Sequence, residues 1–282
     1  MKDHQMSLRQ MRDGAGPAFA LDPSLAEFYD ALYGRMLEDH ERYRRWDRLA
    51  DLLPAGPDPA ALTVRFPDGE ARLFVARGLE EMARLMESRH AGLNVRPFAD
   101  IVREDAPMAG RAAAALAESD GPVLSEIAAR SRVGFEELVF LLTGWLKPLF
   151  TALRESRGFE AAPDESSDVR RCPFCGAHPD IAVIMTGKNG RRFLHCALCE
   201  LLWPYKRIAC AVCGSENAPD LEYLAEGPES RYRVDCCRRC NGYIKTVRLG
   251  KFEEYDECDP VVENLLTAGM DGAALGRGYR RP

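Results

Sequence analysis

The chain has 282 residues, a net charge of −6 and ten cysteines. Its 46 % hydrophobic and 29 % charged side chains are the balance of a globular protein, long enough for two cores. The acidic balance gives no general pull toward nucleic acid or an anionic membrane, and neither a membrane span nor a secretory leader is expected. The most apolar stretch, Leu138 to Phe150, is short and broken by Gly144, Lys147 and Pro148. The opening MKDHQMSLRQMRDG lacks an apolar run and a twin arginine. These features point to the cytoplasm, where thiols stay reduced and serve metal or redox roles more often than disulfides.

Taken in chain order, residues 1–21 are expected to be a flexible N-terminus and 22–156 a helical domain. Asp22-Pro23 has the form of a helix start, and Leu25, Phe28, Tyr29, Leu32, Met36, Tyr43, Trp46 and Leu49 follow at roughly helical spacing up to Leu53. Further helices are expected over about Glu70–His90, Pro122–Arg130 and Phe135–Leu153, the last kinked at Pro148. The aromatic stripes read as a bundle core rather than a cofactor pocket, and the lone helical His40 and His90 as satisfied or surface residues. No phosphate loop, dinucleotide fingerprint or nucleophile elbow is present, and Thr186-Gly187-Lys188 lacks the upstream glycine of a phosphate loop.

Residues 157–170 are polar, contain Gly158 and Pro163, and read as a linker. Composition changes abruptly here, because every cysteine follows residue 171. Charge divides too: from residue 170 onward there are 17 basic and 15 acidic side chains, against 21 and 29 before it.

Four pairs share one inner spacing: CPFC (172–175), CALC (196–199), CAVC (210–213) and CRRC (237–240). Gly176 and Gly214 follow the first and third pairs, where the tight reversal of a metal knuckle favours a left-handed residue. Between pairs one and two, Ile181–Met185 and Arg191–Leu194 flank TGKNG. Between pairs three and four, Leu221–Leu224 and Arg231–Val234 flank AEGPES. Both intervals read as hairpins, and strand-like runs follow at Leu201–Ile208 and Tyr243–Leu249. The unit is therefore knuckle, hairpin, knuckle, strand, used twice. The expected fold class is α+β in two parts, an all-α N-terminal domain followed by two tandem small β modules of zinc-ribbon or rubredoxin-like type. The modules are placed at 171–208 and 209–252, with a C-terminal tail over 253–282.

Four thiolates on two facing knuckles can surround one ion tetrahedrally, at about 2.3 Å for zinc. A β unit of about 38 residues buries too little apolar surface to fold alone, so metal would supply much of its folding free energy. The candidate ligands are Cys172, Cys175, Cys196 and Cys199, then Cys210, Cys213, Cys237 and Cys240. Cys237 is chosen over Cys236 because it keeps the pair spacing. His195 can act as a neighbour of the ligands, and Cys258 lies outside both repeats. Sequential pairing is favoured because each hairpin brings its own knuckles together, and crossed pairing of the first and third pairs stays open. Redox dithiols are the competing reading, weakened by the absence of a βαβ context.

The phrases RCPFCGAHPDIAVI, GRRFLHCALCELLWPYKRIACAVCG and CCRRCNGYIKTVRL resemble the cysteine-rich half of the FdhE family of formate dehydrogenase accessory proteins, with Leu194-His-Cys-Ala-Leu-Cys-Glu200 the most specific piece. The resemblance implies a cytoplasmic, non-enzymatic accessory or maturation factor. Such a factor binds the formate dehydrogenase catalytic subunit before export and carries two rubredoxin-like sites of iron or zinc, with iron favoured, on the eight cysteines named above. Two other functions compete. A rubredoxin-like iron site can transfer electrons, which zinc cannot. Zinc ribbons can bind nucleic acid, but the 14 basic and 8 acidic residues of 170–251, less about two charges per thiolate-bound divalent ion, leave a weak footprint. The expected partner is therefore the catalytic subunit, with no nucleic acid and no membrane insertion.

Overall fold

The computed structural model describes residues 23–52, 69–160, 168–186, 190–250 and 258–281. The expectations for 1–21, for the Asp22 cap, for the middle of the linker, for most of the first hairpin turn and for the start of the tail lie outside these residues.

Among the described residues six helices come first: α1 (Pro23–Arg44), α2 (Gly69–Arg89), α3 (Arg96–Glu104), α4 (Ala106–Glu118), α5 (Gly121–Ser131) and α6 (Phe135–Ser156). The first apolar stripe ends as a helix at Arg44, and Leu49 and Leu52 are buried from a short 3-10 turn instead. Helix α6 runs on through Pro148 and is buried on nearly every side from Leu141 to Leu153, which makes it the axis of the bundle. It lies close to its neighbours: a Cβ on Gly144 would meet Met86 Cε at 2.9 Å, and the Trp145 indole N–H donates to the Val75 carbonyl at 3.1 Å. His40 sits beneath α6 with Nε2 2.9 Å from Glu155 Oε2, a satisfied core histidine as expected.

Neither α3 nor α4 is among the helices expected above, although Phe98, Ala99, Ile101 and Val102 give α3 an apolar stripe. Helix α3 is only nine residues long. The buried face of α4 is Met108 followed by Ala109, Ala112, Ala113, Ala115 and Ala117, and alanine offers too little contrast with its neighbours to mark a face.

The second half is a six-stranded sheet in the order β3-β2-β1-β6-β5-β4. Its strands are β1 (Pro179–Met185), β2 (Arg191–Cys196), β3 (Leu202–Tyr205), β4 (Leu221–Leu224), β5 (Tyr232–Cys237) and β6 (Gly242–Leu249). Each repeat supplies an antiparallel meander, β1-β2-β3 and β4-β5-β6. The meanders join through β1 and β6, which pair in parallel from Ile181↔Lys245 to Met185↔Leu249. The two repeats therefore share one sheet, and the seam hides one edge of each.

The last residues complete this sheet. Helices α7 (Pro260–Leu266) and α8 (Ala268–Leu275) pack on β1 and on β5 and β6 respectively. They cover a buried lysine: Lys245 Nζ donates to the Asn264 carbonyl at 2.6 Å and to Asp271 Oδ2 at 2.7 Å. Cys258 is buried against Ile181, Val183, Met185, Val247 and Leu249 on the same side. On the other side, the bundle core runs without a break into the first repeat, taking in Phe174, Leu194, Leu198 and Trp203.

Candidate metal centres

The eight cysteine sulfurs gather into two groups of four, Cys172, Cys175, Cys196 and Cys199, and Cys210, Cys213, Cys237 and Cys240, with all sulfurs of a group within 4.8 Å of one another. The chain thus brings together pairs one and two, and pairs three and four. The crossed arrangement left open above is not the one adopted.

The first three knuckles close with the same backbone bond. The first cysteine's carbonyl accepts from the residue after the second cysteine, as in Gly176 N–H to Cys172 O at 2.9 Å, Glu200 to Cys196 at 3.2 Å and Gly214 to Cys210 at 2.9 Å. That closing residue is left-handed in all four knuckles: Gly176 at φ +75°, Glu200 at +56°, Gly214 at +76° and Asn241 at +54°. Glycine marked two of these positions in advance; Asn241 tolerates the conformation, and Glu200 is held there by its surroundings. The reversal turns backbone amides onto sulfur. Cys196 Sγ accepts from Leu198 and Cys199 at 3.4 Å, Cys210 Sγ from Val212 at 3.3 Å and Cys213 at 3.4 Å, and Cys240 Sγ from Gly242 at 3.3 Å.

The sulfurs fit a tetrahedral ion. With metal–sulfur bonds of about 2.3 Å, neighbouring sulfurs should stand about 3.8 Å apart. The facing pairs are Cys172–Cys199 at 3.5 Å, Cys175–Cys196 at 3.4 Å, and Cys210–Cys240 and Cys213–Cys237 at 3.7 Å. Four thiols this close and this buried cannot all ionise alone. Burial and then the neighbouring sulfurs push Cys175 and Cys199 well up; burial also opposes ionisation of Cys172, but hydrogen bonds from its three neighbours outweigh it and hold it well down. A divalent cation would supply the missing charge.

Side chains outside the cysteine pattern hold the first group in place. From α6, Arg154 Nε donates to the Cys199 carbonyl at 3.0 Å. Lys147 Nζ lies 3.5 Å from Glu200 Oε1, with both side chains buried. His195 stays outside the sulfur cluster, its Nδ1 2.8 Å from Asp180 Oδ1. Of the two extra thiols, Cys236 points away from Cys237 into a cluster with Val234, Tyr243, Ala274 and Tyr279, where burial raises its pKa to about 12.

A helical bundle fused to a sheet with two four-cysteine groups is the class of protein this fold and these sites define. The family profile described as "FdhE, central domain" matches residues 171–207. Similar proteins include an FdhE homolog of Shewanella oneidensis, 33 % identical over 109 residues (38 % of this chain, 35 % of that one). Another, from Aquifex aeolicus, is 31 % identical over 144 residues (50 % and 49 %). A third, from Stutzerimonas stutzeri, is 36 % identical over 120 residues (42 % and 38 %). The chain spans between about a third and a half of the length of these curated relatives. The crystal structure of the FdhE protein from Pseudomonas aeruginosa shares the fold with a TM-score of 0.52 at 22 % identity, over 99 % of this chain and 84 % of that one. The chain is thus similar to FdhE proteins through its cysteine-rich segment and shares the fold of one of them, as its cysteine phrases led us to expect.

Proposed function

We propose that this protein is a cytoplasmic accessory factor that binds the catalytic subunit of formate dehydrogenase and is needed for its activity before export. In this reading it is not an enzyme. The eight cysteines named above hold two metal ions, iron or zinc. The observation that carries the reading is the pair of four-sulfur groups on a scaffold that shares the FdhE fold. Four thiolates suit both metals. The ions would hold the knuckles closed, while the chain's own amides and the Lys147–Glu200 and Arg154 contacts set the orientation of the first centre. Among the described residues no helix is long and apolar enough to cross a membrane.

Tagged protein should co-purify with the formate dehydrogenase catalytic subunit, and a deletion strain should lose formate oxidation. Failure of both would refute the reading. Electron transfer is the second reading. It is favoured by the second group, where Cys213 and Cys240 are only half-buried and give an electron a short way in or out. Full accessory function with zinc alone would eliminate it.

A further inference from the structure

The two cysteine groups share a spacing but not an environment. In the first, no cysteine is more than 3 % exposed. Its knuckles lie inside the continuous core that runs from the helical bundle. Phe174, between its first two cysteines, packs on Phe159 at the end of the bundle, ring centroids 5.4 Å apart. Helix α6 closes it from above through Arg154 and Lys147. A cavity of about 230 Å³ beside this centre is lined by Ala177, His178, Ala197 and Leu198 but by none of its cysteines, so a chelator reaches the sulfurs only when that packing opens.

The four cysteines of the second group stand outside that continuous core, although Ala209 and Ala211 beside Cys210 belong to it. Cys210 and Cys237 are buried, but Cys213 and Cys240 reach the surface. Beside Cys210 and Cys237 is a cavity of about 160 Å³, lined in part by Ile208, Val212, Leu221 and Tyr223. Ile208 is 68 % and Tyr223 57 % exposed, and with Arg207, Glu222 and Arg233 they give the cavity a mixed apolar and charged rim. The side chain that reaches its first knuckle is the exposed Arg170, whose Nη1 donates to the Val212 carbonyl at 2.8 Å.

We propose that the centres divide their labour. Cys172, Cys175, Cys196 and Cys199 form a locked centre that pins the sheet to the bundle. Cys210, Cys213, Cys237 and Cys240 form an exchangeable centre, open to an incoming sulfur or nitrogen donor. With an ion bound, Cys213 or Cys240 would be the ligand that an incoming donor replaces, its released thiolate taking a proton from solvent. This inference rests on the metal-binding reading above and adds which centre is accessible. The physical basis is that local opening of a surface loop costs far less than separating two packed units.

The test is metal release. Full-length protein, purified anaerobically and loaded with two equivalents of zinc, is challenged with excess chromogenic chelator. One equivalent should leave at least about tenfold faster than the other, and the slow one should leave at the independently measured rate of global unfolding. Cys240→Ser should abolish the fast phase and keep the slow one. Release of both equivalents in one phase, or a fast phase that persists in Cys240→Ser, would overturn the proposal. Should that variant not fold, hydrogen exchange on the unsubstituted protein during release decides. Val212 and Gly242 amides should lose protection in the fast phase while Leu198 and Cys199 keep theirs, and simultaneous or reversed loss counts against it. A chain that never takes up zinc refutes the metal-binding reading itself, whereas two equivalents leaving together refute only the division.

Discussion

Asn241 and Glu200 occupy equivalent left-handed positions, yet the structure assigns them different costs. Asn241 is exposed and its backbone carbonyl serves Arg280. Asn241→Gly should therefore be neutral or stabilising by up to about 1 kcal/mol. Glu200→Gly relieves the same backbone strain but strands the buried Lys147 ammonium, so it should destabilise by about 2–4 kcal/mol. Urea unfolding of the metal-loaded variants separates the two. The adjacent thiols differ as sharply. Cys236→Ala should leave two metal equivalents bound and cost about 1 kcal/mol of packing, whereas Cys237→Ala should lose one equivalent, as read by elemental analysis. Spacing alone separated Cys236 from Cys237, because strand alternation sends adjacent side chains to opposite faces. The roles of Lys147 and Arg154 were not legible in this way. Lys147 showed in the sequence only as a break in an apolar run, and the knuckle it meets is 53 residues further on.

Among the elements, the hairpins and the strands that follow them were readable to within about three residues at each end, because turn residues and cysteine pairs bracket each one. The alanine-faced α4 and the short α3 were not, and neither were α7 and α8, whose helical character comes from packing on a sheet that sequence reading treats as two separate modules. Two predictions belong here. Asp271 on α8 accepts from Lys245, Tyr243 and Arg281 at once. Asp271→Asn should therefore cost about 2–4 kcal/mol and loosen α8, visible as faster hydrogen exchange in β6. The second concerns His178, three residues beyond the first knuckle. Burial first, then Arg171 and Arg170, lower its pKa to about 4, against about 6.5 when unfolded. Between these values the unfolded chain binds more protons than the folded one. Stability contributed by the neutral imidazole is thus complete above about pH 6.5 and lost as pH falls toward about 4. His178→Gln should flatten that part of the urea-midpoint profile. Acid release of metal from the thiolates would be common to both proteins, so their difference isolates the histidine.

At the scale of the whole molecule, the sequence divides the chain into a helical half and two metal units, and the eight candidate ligands segregate as that division suggests. What it does not disclose is the joining. The parallel β1–β6 seam has no local signal, since it pairs segments more than sixty residues apart. The core shared by bundle and first repeat is likewise a matter of packing rather than pattern. The central claim, that the chain carries two four-thiolate metal centres, is tested most directly by X-ray absorption at the metal edge combined with metal content, on protein isolated without oxygen. The account predicts two ions per chain, each with four sulfur neighbours at about 2.3 Å, falling to one ion per chain in Cys237→Ala. A chain that folds with no bound metal, or ions whose neighbours are oxygen or nitrogen, would contradict it.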